Sequence, residues 1–345
     1  MKIGKASAST IPYQLRPHKA IERNLFIAIL RRLDNVNGID MNKYRYVGFG
    51  APFLEDFKLM HLELGIKDMH CIEYDKHAHS RQVFNNPYYF LRLFNHSSTQ
   101  YINSEDFAQD KNQIIWLDFA SPGELRQQLM DVESLSRRVG KLDVLKFTFN
   151  SQLTSFVSSH HVKKGRDNVV DENKVLKLLR EDPTYQNYLP ESTTIKHINE
   201  NFSAVIRAMA VRAVERGLAS ANSNQHFNHI SAFSYADGQM MSTLTGVIEE
   251  KDNFNKILQQ SGLTNWDFYQ PETSDEFITG NEISVPAMTV SERIEIDKKI
   301  PAKKIDDLIA ELKFYYGNSE DEHAKLIEGY CRYYKFLPYY SKVTY

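Results

Sequence analysis

A chain of 345 residues, 42% hydrophobic and 25% charged, is too apolar to be mainly disordered and long enough for one large domain or two ordinary ones. Its 42 Lys and Arg against 44 Asp and Glu leave a net charge of −2, which gives no global sign of nucleic-acid binding while leaving room for a local basic patch. Two cysteines, Cys71 and Cys331, exclude a disulfide framework or a cysteine-based zinc site; with no signal peptide and no run of about 18 apolar residues, a cytoplasmic protein without membrane contact is expected.

The first 50 residues hold nine basic and three acidic residues. Pro17 suits a first helical turn, and Ile21, Leu25, Ile29 and Leu33 recur at four-residue spacing, which predicts a helix over Pro17–Asp34. Its basic residues form either a solvated face or an anion-facing entrance above the next domain. From Tyr44 the pattern alternates. Strands are expected at Tyr44–Val47, Met69–Ile72, Ile114–Leu117 and Val144–Phe149, with weaker candidates at Leu91–Phe94 and Thr99–Ile102. Helices are expected at Asp56–Leu64, Lys76–Phe84 and Gly123–Arg138. Such repeated units with short links imply right-handed parallel crossovers and a doubly wound α/β sheet.

Residues 151–200 break the rhythm with a basic stretch, His160–Arg166, and a polar link punctuated by proline. Phe202–Gly217 reads as a strong helix. Ile230–Tyr235 and Met240–Ile248 come next as strands joined at Asp237-Gly238, a hairpin signal, so an antiparallel pair closes a mostly parallel sheet of seven strands. The 80 positions from Asn150 to Ile230 far exceed the dozen or so that a parallel crossover needs. Residues 151–200 are therefore expected to be an insertion at the ligand-binding edge, either a lid over the cleft or a solvated surface excursion. Past Glu249 the character is helical, with capping-box spacing at Thr289-x-x-Glu292 and helices at Ile305–Tyr315 and Ala324–Tyr334. The expected organisation is a basic N-terminal helix (1–40), an α/β domain (41–250) and a helical C-terminal subdomain (251–345).

The chemistry concentrates at strand ends. Gly48-Phe49-Gly50 lies between a strand and a helix, where glycines permit a tight turn and close approach of the backbone to a nucleoside or phosphate. Glu73 closes the next strand, 23 positions beyond Gly50, where an acid can hold ribose hydroxyls. Pro52 and Phe53 replace the third glycine of a dinucleotide fingerprint, which favours a nucleoside ligand without a pyrophosphate. Asp106 either accepts a hydrogen bond from an adenine amino group or is an acid favoured at a helix N-terminus. Asp118 directly follows Ile-Ile-Trp-Leu, at the carboxyl end of a central strand, where open parallel sheets bind ligands.

This order resembles the class I S-adenosylmethionine-dependent methyltransferase fold: strand–GxG, acid after the second strand, acid after the fourth, terminal hairpin. More narrowly, Leu15-Arg-Pro-His-Lys19 with Glu22-Arg23, Tyr46-Val-Gly-Phe-Gly50, Asp56-Phe57, Leu64-Gly-Ile66, Ile72-Glu73 and Ile115-Trp-Leu-Asp118 resemble a bacterial family of putative O-methyltransferases over residues 10–250. The resemblance implies S-adenosylmethionine as cofactor, with Gly48, Gly50 and Glu73 lining its site and Asp118 bordering the reaction centre. Tyr46 stands where methyltransferases commonly carry an acid, so the methionine end of the cofactor would be held differently, with help from Arg16 or Lys19. Asp118-Phe-Ala-Ser-Pro122 departs from the tetrad of base-directed amino methyltransferases. That speaks against methylation of a base amino group without excluding nucleic acid, and the cationic His160–Arg166 segment with Arg16, Lys19 and Arg23 points to an anionic or polar acceptor that stays unidentified.

Other constellations point less clearly to chemistry. His77-Ala-His79 and His226-x-x-His229 have no nearby cysteine, and Asp118 with Asn150 lacks a third ligand, so no metal is expected. The aromatic and basic tail Tyr330–Tyr340 fits a C-terminal helix packed on the core or a single-strand-binding stripe. Two competing functions remain at this point: a catalytically degenerate nucleoside-binding or interaction module, and a nicotinamide-dependent oxidoreductase.

Overall fold

The computed structural model describes residues 16–107, 110–162, 170–221, 224–301 and 303–338. Strands β1 (Arg45–Phe49), β2 (Asp68–Ile72), β3 (Leu91–Phe94), β4 (Gln113–Asp118) and β5 (Val144–Asn150) pair in parallel, in the order β3-β2-β1-β4-β5. Helices cover both faces, so the central strands are buried on both sides; β5 is buried along its whole length, Lys146 and Thr148 included. Strands β6 (His226–Ala236) and β7 (Met240–Glu249) form the expected hairpin, with Gly238 at φ +93° in the turn, and β7 runs antiparallel to β5. Among the described residues the sheet has eight strands, not seven. Strand β8 (Asn281–Ile283) adds to β6 in parallel, and three residues are too few to show alternation in a sequence.

Helices α1 (Pro17–Asp34) and α2 (Glu55–Leu64) cover one face, packing on Tyr46, Ile114, Trp116 and Val144. Helix α3 (Lys76–Asn85) links β2 to β3. On the other face α4 (Ser98–Ile102) and α5 (Leu125–Ser136) pack on Val47, Ile115, Leu117 and Leu145. The strand expected at Thr99–Ile102 is thus a helix. The reason is local: Ser97 and Gln100 form a reciprocal capping box, each side chain bonding the other's backbone N–H.

Between β5 and β6 lie α6 (Leu153–Ser159), α7 (Glu172–Glu181), α8 (Pro183–Gln186) and α9 (Ile195–Ser220). Val157, Val175, Leu179 and Tyr185 are buried in the same core as α5 and α9, so the described part of this segment packs on the body of the domain. Lys163, Lys164 and Arg166, the cationic part of the expected lid, lie outside the described residues. Helix α9 starts earlier than expected because Thr194 caps it, and Asn201 breaks its geometry with φ −154° while its side chain caps Ala204 N.

Helix α10 (Lys251–Ser261) joins the α1 face. Helices α11 (Val290–Asp297), α12 (Ile305–Glu311) and α13 (Glu320–Tyr333) enclose a small core of Ile296, Leu308, Ile327 and Tyr330. The Thr289–Glu292 capping box is present, whereas α12 ends at Glu311 rather than Tyr315. Among the described residues no helix is long and apolar enough to cross a membrane.

Candidate functional site at the carboxyl edge

Parallel pairing aligns the strand ends. Phe49 lies opposite Ile72 and Gly48 opposite Trp116, so the chain beyond β1 emerges between Glu73 on one side and Asp118 on the other. Gly48 and Gly50 are required by space. A Cβ on Gly48 would lie 2.9 Å from the Tyr46 hydroxyl, and one on Gly50 would lie 2.6 Å from Cys71 Sγ and 2.8 Å from Leu54 Cδ2. Phe49, between them, is half-buried and meets Phe119 edge-on. Gln82, buried on α3, donates to the Gly50 carbonyl and fixes the loop from behind.

Glu73 Oε1 accepts from Asp75 N at 2.9 Å, and burial pushes its carboxyl above the ordinary range. Asn95 Nδ2, from the loop after β3, donates to the Glu73 and Tyr74 carbonyls at 2.8 and 3.2 Å. Tyr74, 72% exposed, presents a ring beside Glu73. Asn150 closes the edge on β5, with Nδ2 donating to Ala120 O at 3.2 Å and to Gln239.

Helix α1 supplies the cations. Lys19 Nζ and Arg23 Nη2 lie 3.2 and 3.3 Å from Asp118 Oδ2, and Arg23 Nε lies 2.6 Å from Asp56 Oδ1. Burial alone would raise the Asp118 carboxyl, but Lys19 and Arg23 hold it below its usual value, so it stays ionised. The helix entrance is fixed by His18, whose Nδ1 lies 2.8 Å from Ala236 O and 3.2 Å from Asp237 Oδ1, while Lys19 N donates to Asp237 Oδ2 at 2.9 Å. Arg16 occupies the N-cap position of α1.

The structure thus brings Gly48, Phe49, Gly50, Glu73, Asp118 and Lys19 to one edge. Asp106 is elsewhere: its Oδ1 accepts from Arg92 Nη2 at 2.8 Å, and Arg92 pairs with His70, two residues before the end of β2. Tyr46, where an acid is common, is buried against Phe57 with ring centroids 5.0 Å apart. Of the two histidine pairs, His77 and His79 lie on α3, and His229 is buried in β6. Among the described residues no group of three His, Cys, Asp or Glu could hold a metal. Sequence reasoning missed the buried roles of Arg23, Gln82 and Tyr235. Arg23 is buried on a helix whose apolar spacing assigns it to solvent, and nothing local marks it.

A model of the family described as "Putative O-methyltransferase" matches residues 11–345. Among curated proteins no relative is found. Solved structures with a similar fold include a putative S-adenosylmethionine-dependent methyltransferase from Listeria monocytogenes, 7% identical, covering 65% of this chain and 99% of that one, with TM-score 0.38. Others are the plantazolicin methyltransferase BpumL in complex with SAH (11% identical, 72% and 91% covered, TM-score 0.36) and a putative O-methyltransferase from Klebsiella pneumoniae (15%, 69% and 90%, 0.35).

Proposed function

The chain belongs to the putative O-methyltransferase family, and from that premise we propose that it transfers a methyl group from S-adenosylmethionine to an oxygen of a polar acceptor. The observation that carries this reading is the placement of a space-limited Gly48–Gly50 turn between Glu73 and Asp118 at the carboxyl edge of a parallel sheet. In this reading Glu73 holds the ribose hydroxyls, and Lys19 with Arg16 meets the methionine carboxylate. The loop Asn95-His96-Ser97, adjoining Glu73, takes the adenine position expected of Asp106.

Direct displacement at a methyl group asks the protein mainly for alignment of the two reactants. Asp118, kept ionised by two cations, is a weak base and a good acceptor of hydrogen bonds, so it orients the acceptor oxygen and stabilises the positive charge that develops there. Free thiols at Cys71 and Cys331 fit a reducing, cytoplasmic setting.

Calorimetric titration with S-adenosylmethionine and its demethylated product tests the reading. One site is expected for each, and Glu73→Ala should weaken both about tenfold or more, as loss of a charged hydrogen-bond acceptor implies. No binding, or binding indifferent to Glu73, would defeat it. A parallel titration with NAD separates the oxidoreductase alternative, and a screen with labelled methyl groups identifies the acceptor.

A further inference from the structure

Beneath α1 the sheet carries a polar strip where an apolar one would be ordinary. Register places Asp118 opposite Thr148 and Thr148 opposite Thr243. One step lower, Trp116 faces Lys146, Lys146 faces Thr245, and Thr245 faces Ser231. Tyr235 lies on the same face, since Phe233 and Tyr235 both belong to the core under α1. From above, Glu22 of α1 pairs with Lys146, whose Nζ lies 4.7 and 4.8 Å from the ring centroids of Phe26 and Trp116. Except for Asp118, every one of these groups is at most 1% exposed.

Six polar atoms in this strip have no hydrogen-bond partner among the described residues. They are Ser231 Oγ, Thr243 Oγ1, Thr245 Oγ1, Tyr235 OH, Glu22 Oε2 and Asp118 Oδ1. By register Ser231 faces Thr245, and Thr243 reaches Asp118 through Thr148; Glu22 joins them through Lys146, and Tyr235 feels Asp118, Glu22 and Arg23. Burying six uncompensated groups would cost as much as an ordinary domain's whole folding free energy, so something satisfies them. The charges already balance, with Lys19, Arg23 and Lys146 against Glu22, Asp56 and Asp118. A further ion has no counter-charge here, whereas neutral molecules that both donate and accept hydrogen bonds suit hydroxyls and carboxylates alike.

We propose that the strip beneath α1 is a binding site for a chain of ordered water molecules that connects Oδ1 of Asp118, at the carboxyl edge, to Oε2 of Glu22 in the core. The chain gives Asp118 contact with exchangeable protons while α1 stays closed over it. It does not depend on the methyltransferase reading, because it rests on the strip alone.

Trp116 is an internal reporter, for its Nε1–H donates to Thr148 Oγ1 at 3.0 Å inside the strip. The experiment follows hydrogen–deuterium exchange of the Trp116 indole by NMR in wild type and in the double variant Thr243→Val/Thr245→Val, with water-oxygen relaxation dispersion to count long-lived internal waters. In wild type the indole should exchange faster than global unfolding permits. In the variant, exchange should slow about tenfold, the factor corresponding to one hydrogen bond's worth of free energy, and the water count should fall. Exchange only through global unfolding, or fast exchange and a water count both unchanged by the valines, would overturn the proposal. If the double variant fails to fold, Tyr235→Phe gives the same readout with the ring's packing kept.

Discussion

Arg23 Nη2 lies 3.3 Å from Asp118 Oδ2, which ties helix α1 to the carboxyl end of strand β4. The same guanidinium also holds Asp56, so one buried cation serves two acids. Replacing it by Leu would take the guanidinium from Asp56 and leave Asp118 with Lys19 of its two cations. Arg23→Leu should cost about 3–5 kcal/mol by chemical denaturation, the range for breaking a buried pair from one side. Arg23→Lys, which cannot reach both acids with a planar fork, should recover only part of that loss.

Lys146 and Glu22 form a second buried pair under α1, and their energetics should be strongly coupled. Lys146→Met alone strands a carboxylate, and Glu22→Gln alone strands an ammonium already pushed below its ordinary range by burial. Each single variant should lose about 3–5 kcal/mol, while Glu22→Gln with Lys146→Met should lose far less than the sum. A double-mutant cycle by urea titration reads this directly; additive losses would mean the pair is not a pair.

Gly50→Ala tests the turn proposed to hold the cofactor. Its new methyl would press on Cys71 Sγ and Leu54 Cδ2, both buried side chains with little room to retreat. A stability loss of about 1–3 kcal/mol is expected, together with weaker binding of S-adenosylmethionine in calorimetry. Normal stability and affinity would show that the loop tolerates a side chain and that its glycine serves no close approach.

Burial pushes the His229 imidazole down to about 4, and Arg207 nearby adds to the effect. In the unfolded chain the residue titrates near 6.5. Below that pH the unfolded state binds a proton that the folded state refuses, so stability falls as pH drops from about 6.5 to about 4. Asp143, pushed up to about 7 by burial, acts in the opposite sense over the whole of this window, and His70, also pushed down to about 4, acts with His229, so the total curve mixes the three. Comparing wild type with His229→Gln isolates the histidine. Their stability difference should shift in favour of the variant by about 1–3 kcal/mol between pH 7 and pH 4, and a constant difference would rule the effect out.

What the sequence made legible is what chain order carries. Ile114–Leu117 and Val144–Phe149 read as strands because parallel strands are apolar on both faces. Gly48, Glu73 and Asp118 could be found because each directly follows such a run. The Asp237-Gly238 turn was equally local. The buried roles of Arg23 and Tyr235 were not legible, because they depend on partners 95 residues away or on faces fixed only by register. Asp106 was misplaced relative to the edge for a related reason. Thr99–Ile102 is helix α4 rather than a strand that would deliver Asp106 to the edge, and Ser97-x-x-Gln100 is the local sign of its capping box.

Helix α1 has a timing problem during synthesis. Its Glu22 waits for a partner 124 residues downstream, and His18 waits 267 residues for the Val285 carbonyl. At about 5–20 residues per second, Lys146 is made about 6–25 s after Glu22, and longer still before it clears the ribosome. Through that interval a helix carrying Leu25, Phe26, Ile29 and Leu30 has at most an incomplete sheet to cover, since β5, β6 and β7 are still to come. Its hydrophobic side is therefore available to chaperones or to neighbouring nascent chains, and slowing or truncating synthesis before β5 should raise aggregation more than the same change made after β7.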